Sequence, residues 1–152
     1  MDDRVREHAD VLVEWSARIE PGDDVVVSVA EDAHELGVAV AEKLGEVGAN
    51  VLTTYSSAEV SRAYLKAHDG DFEAGGHELA LYENADSVLQ LGGGRNTMAT
   101  ADVGGETRRA YSRARTDPRE ARMATDWVSL ATSAIAVVFR PPPSRSTESA
   151  FS

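Results

Sequence analysis

The run Val25-Val26-Val27-Ser28-Val29 constrains the fold more than any other stretch of this chain. Its β-branched residues fill four of five consecutive positions, which leaves no polar face for a strand to present to water. A strand of this kind is buried on both sides, as in a parallel sheet with helices on each face. The turn signal Pro21-Gly22-Asp23-Asp24 precedes it. Upstream, Val5, Ala9, Leu12, Val13 and Ile19 approximate the spacing of one helical face, with Asp2 or Asp3 placed to cap its start.

The same alternation continues downstream. Leu36, Val40, Leu44 and Val47 share one face of a helix predicted over residues 33–47, and Gly48 stands where a helix stops. Ala49 to Tyr55 reads as a second strand. Ser56 and Glu59 then have the spacing of a capping box, and a short helix runs on to about Ala67. A loop of composition HDGDFEAGG leads to a short helix over residues 78–85 and a third strand from Ser87 to Leu91. A weaker helix is predicted from about Val103 to Ala114. Strands alternating with helices, through connections too long for hairpins, imply right-handed crossovers. The predicted architecture is α/β, a Rossmann-like three-layer sandwich with a mostly parallel sheet, and 152 residues suit one such domain.

Composition excludes several functions. The absence of cysteine removes disulfides, thiolate catalysis and Cys-ligated metal centres. No apolar run reaches the roughly 18 residues of a membrane helix, and the charged start MDDRVREHAD is not signal-like, so a cytoplasmic protein is expected. The net charge of −11, with Lys43 and Lys66 the only lysines, argues against binding nucleic acid through its phosphates. An acidic, lysine-poor surface also fits a protein of a high-salt cytoplasm, although a merely acidic protein has the same composition. Residues 129–152 break the pattern, because Glu148 is their only acidic residue. Two readings stand for that stretch beside an α/β body of residues 1–128. One is a last strand, Ile135 to Phe139, with a disordered Pro/Ser/Arg tail; the other is a native frame lost near Ser129.

The stretch LQLGGGRNTMATADV, Leu89 to Val103, is the best candidate site. It opens from a strand into Gly92, Gly93 and Gly94, followed by Arg95 and Asn96, at the place where parallel sheets hold ligands. Thr97 occupies the position of the third glycine of a dinucleotide fingerprint, and no lysine completes a Walker loop. What remains is either a structural turn or a loop whose amides, guanidinium and carboxamide hold a small carboxylate or phosphate. His8, His34, His68 and His77 each neighbour an acidic residue, but Val38 and Leu81 stand where a zincin's second histidine belongs. The arginines 108, 109, 113, 115, 119 and 122 form the one basic stretch, read as a solvated helix face or an anion or subunit interface. No catalytic residue and no metal ligand is assigned from these motifs.

Three stretches carry a resemblance: HADVLVEWSARIEPGDDVVV, AHELGVAVAEKLGEVGANVLTTYSS, and ENADSVLQLGGGRNTMATADV leading to ATDWVS. Over about residues 1–129 the chain resembles the N-terminal part of the thermophilic-type metalloaminopeptidases, the aminopeptidase T and aminopeptidase S group. Its composition points to a haloarchaeal member. The resemblance implies an α/β domain of an enzyme that releases N-terminal amino acids from peptides with two divalent metal ions, as a homodimer in its full-length form. It also implies that the metal ligands and catalytic residues lie in a C-terminal domain beyond DWVS, which this chain lacks. The expected chain is thus truncated, without a metal ion of its own and inactive by itself. The alternative is a free-standing α/β module that binds a small anion at Gly92, Gly93, Gly94, Arg95 and Asn96.

Overall fold

In the computed structural model, residues 1–92, 100–131 and 135–139 are described, with side chains as far as residue 125. Five strands form one sheet in the order β2-β1-β3-β4-β5. They are β1 (Asp24–Ala30), β2 (Asn50–Ser56), β3 (Ser87–Leu91), β4 (Asp126–Ala131) and β5 (Ile135–Phe139). The first four are mutually parallel, and β5 returns antiparallel beside β4. The mostly parallel α/β architecture expected from the sequence is therefore present.

Helices α1 (Asp3–Asp10) and α2 (His34–Val47) cover one face of the sheet. Val25, Val27 and Val29 of β1 and Leu89 and Leu91 of β3 meet Leu12, Val13, Val40 and Leu44 in this principal core, all buried. The opposite face carries α4 (Gly76–Glu83) and α6 (Thr116–Ala124) over a much smaller core of Val26, Tyr82 and Val88. Helices α3 (Ala58–Ala67) and α5 (Gly105–Ala114) follow β2 and precede α6.

The first helix departs from the single amphipathic helix predicted through Ile19. After α1, residues Val11–Ser16 form a π turn, in which the Ala17 N–H donates to the Leu12 carbonyl at 2.8 Å. Leu12, Val13 and Ala17 are all buried in the core along this turn. Of the two candidate caps, Asp2 is the one that accepts, from the Arg4 amide at 3.0 Å.

The predicted capping box at Ser56 and Glu59 is not formed. Ser57 caps α3 instead: its hydroxyl accepts from the Glu59 amide at 3.2 Å and donates to the Glu31 carboxylate at 3.0 Å. Helix α6 and strand β4 were not predicted. Helix α6 buries Pro118 in its first turn, where the missing N–H costs nothing. Strand β4 spans Ser129, where the composition changes, and β5 occupies the stretch read as a last strand.

Candidate functional site

Strands β1, β2 and β3 end together, and the segments leaving them make the carboxyl edge of the sheet. From β1 the chain enters a 3₁₀ turn, Glu31–Ala33, and then α2. From β2 it reaches the Ser57 cap, whose bond to Glu31 ties the first two exits to each other. Beyond β3 stands Gly92, in the left-handed region at φ 83°.

Gly92 is fixed by space as well as by backbone conformation. A Cβ there would lie 2.6 Å from Asp32 Oδ1 and 2.9 Å from the Cβ atoms of both Ala30 and Ala33. The backbone leaving β3 presses directly on the turn that leaves β1, and only glycine permits that approach. This gives the first glycine of the triplet a structural reason of its own. Gly93, Gly94, Arg95 and Asn96 lie outside the described residues.

The chain is anchored again beyond this segment. Arg62 Nε donates to Asp102 Oδ1 and Oδ2 at 2.9 and 3.0 Å, and Arg62 Nη2 and Lys66 Nζ both reach Asp102 Oδ2. Hydrogen bonds from Arg62, then from Lys66, hold the Asp102 carboxyl well below the usual carboxylate range. Val103 is buried next to it. One end of the candidate stretch is therefore held by close packing on Asp32, and the other by ion pairs to α3.

Asp102 lies at the tail of the candidate stretch, whereas its partner Arg62 is 40 residues away in the sequence. No local signal links the two. Among the described residues, no group of three or more His, Cys, Asp or Glu side chains gathers to hold a metal ion. His68 instead stacks on Phe72, with ring centroids 3.9 Å apart, and its Nδ1 accepts from the Gly70 amide. The described side chains therefore do not fit a two-metal centre, and no step through such ions is assigned to them. The arginine stretch divides in two. Arg108, Arg109, Arg113 and Arg119 are exposed, whereas Arg115 and Arg122 turn inward toward the sheet.

The sequence profile of the thermophilic metalloprotease (M29) family matches residues 1–149. The chain belongs to the M29 family. Among solved structures, this M29 chain is similar to wild-type AmpT from Thermus thermophilus, with a TM-score of 0.72 at 18% identity. The match covers 87% of this chain and 36% of AmpT, so the M29 chain spans about a third of that protein's length. At such identity the likeness concerns the fold. A weaker likeness, TM-score 0.43 at 16% identity over 86% of this chain and 36% of the other, is to the CurK enoyl reductase. No curated protein matches the chain.

Proposed function

We propose that this chain is the α/β portion of a metal-dependent aminopeptidase, which releases N-terminal amino acids from peptides. The observation that carries the reading is the M29 match over residues 1–149. The fold likeness to AmpT, over about a third of that protein, is consistent with a domain that works beside another. In this reading the paired divalent ions and their carboxylate and histidine ligands belong to a further, C-terminal domain, and the full-length protein is a cytoplasmic homodimer of a high-salt cell.

The role left to the carboxyl edge of this domain is support. Gly92 and Asp102 hold the ends of the segment that carries Arg95 and Asn96, two side chains suited to a peptide carboxylate or carbonyl, or to the neighbouring domain. The experiment is hydrolysis of an aminoacyl reporter by the purified chain with added cobalt, zinc or magnesium. No turnover is expected from the chain alone, and turnover when it is supplied within a full-length relative. Hydrolysis by the isolated chain at rates typical of enzymes, about 1 per second or faster, would overturn the reading.

A further inference from the structure

Strand β2 ends the sheet, with β1 on one side and no described strand on the other. It pairs with β1 over all seven residues without a bulge, and six of the seven are exposed. A free edge of this length invites pairing with another chain, and proteins ordinarily blunt it with a lysine, a proline, a bulge or an inward charge. Strand β2 has none of these. Between Glu46 and Glu59 no residue is charged, in a chain of net charge −11. Val51, Leu52 and Tyr55 are instead 39%, 51% and 66% exposed.

The helix beside this edge is uncharged on the same side. Helix α2 rests on β1 and β2. Its Lys43 turns to α1, where it pairs with Asp10 and Glu14, and its Gly37 faces the sheet, where a Cβ would lie 2.9 Å from Val29 Cγ1. Helical spacing sets Val38, Ala41 and Gly45 on the flank left over, toward β2, and all three are exposed. Glu35, Glu42 and Glu46 share a different stripe of the helix.

We propose that this edge joins two copies of the chain, β2 against β2 in antiparallel register about a two-fold axis through Thr53, giving one sheet with five strands from each copy. Paired residues point to the same face, so the axis must pass through a residue, and Thr53 is the one that leaves none of the seven unpaired. Asn50 then meets Ser56, Leu52 meets Thr54, and Val51 meets Tyr55 of the second copy. The last is a β-branched and aromatic pair of the kind that stabilises sheets, made twice on the α2 face. With strands about 4.8 Å apart, the two α2 helices come to about 10 Å, the spacing of packed helices. Repulsion between two chains of this charge is least where the touching surfaces carry none. A two-fold contact uses the same surface on both copies and so stops at two. The proposal rests on the homodimer named above and adds the surface that forms it; hydrolysis tests the peptidase assignment separately.

The test is sedimentation velocity of the whole chain over a concentration series, at the lowest potassium chloride concentration that keeps it folded, so that charge effects are least screened. A reversible equilibrium between monomer and dimer is expected. Thr53→Lys and Thr53→Glu each set like charges face to face across the axis and weaken the dimer at least about tenfold. An equimolar mixture of the two restores it, because lysine then faces glutamate. Ala41→Glu on α2 also weakens it, leaves the strand untouched, and keeps the test decisive if the Thr53 variants fail to fold. Trp15→Ser, which removes an exposed apolar side chain of the π turn, leaves the dimer unchanged. A chain monomeric at every concentration, with its edge free or taken up by an added extended peptide, would overturn the proposal. So would a dimer unmoved by the Thr53 variants, a mixture that fails to restore it, assembly beyond two copies, or dissociation by Trp15→Ser.

Discussion

At Gly92 two independent constraints meet, a left-handed backbone and a Cβ position 2.6 Å from Asp32 Oδ1. Gly92→Ala is therefore expected to destabilise the fold by about 2–4 kcal/mol, combining backbone strain with overpacking against the β1 exit. Chemical denaturation of the variant checks this; a change within about 0.5 kcal/mol, typical of neutral surface sites, would contradict the close approach. Asp102 acts through charge instead. Its pKa is lowered in the folded state, so its contribution is complete above the ordinary carboxylate value of about 3.9. The contribution declines as pH falls below that value and is lost once pH passes through the folded-state pKa. Asp102→Asn should flatten the acid limb of a Tm-against-pH curve and leave the shape above pH about 5 unchanged, whereas an unaltered acid limb would remove Asp102 from the account. The glycine at position 92 was visible in the sequence as a turn signal, but its steric reason was not, since Ala30, Asp32 and Ala33 come against it only when β1 and β3 pair.

At the scale of elements, the sequence was most informative where a helix or strand carries its own signals. Helix α2 has its apolar stripe on Val40 and Leu44, both fully buried, and ends at Gly48, left-handed at φ 86°. Leu44→Ala should cost about 2–5 kcal/mol by denaturant unfolding, and a loss under about 1 kcal/mol would mean that the helix packs differently. Elements whose logic is tertiary were illegible. Helix α6 buries Pro118 and partly Ala121, small residues that leave little hydrophobic periodicity. Ser57 displaces Ser56 as the α3 cap, where its hydroxyl also reaches Glu31, 26 residues upstream. The π turn is similar in kind: its neighbour α2 supplies Lys43, which pairs with Asp10 at 3.2 Å and Glu14 at 2.8 Å across the helix interface. Hydrogen bonds from Lys43 to Glu14, then to Asp10, raise its pKa. Replacing it by Met should lower Tm in dilute buffer, because the carboxylates then repel one another, and the deficit should shrink as salt is added; a deficit independent of salt would point to lost packing of the aliphatic stem.

For the molecule as a whole, 26 carboxylates and a net charge of −11 dominate behaviour in solution. Self-repulsion opposes the compact state and salt screens it. Tm should climb from dilute buffer into molar potassium chloride, and a sharp cooperative melt in dilute buffer that salt does not move would contradict the high-salt reading. Composition made that charge legible, and the strand and helix patterns made the α/β class legible. The candidate site was legible only as a position on the sheet edge, because its anchors come from α3 and from the turn after β1. On the proposed reading, this M29 domain supports a metal-dependent chemistry whose ligands lie in a further domain. Equilibrium dialysis of the purified chain against cobalt or zinc tests it most directly. Only weak, non-stoichiometric uptake by surface carboxylates is predicted, and a tightly held pair of ions on the chain would contradict it.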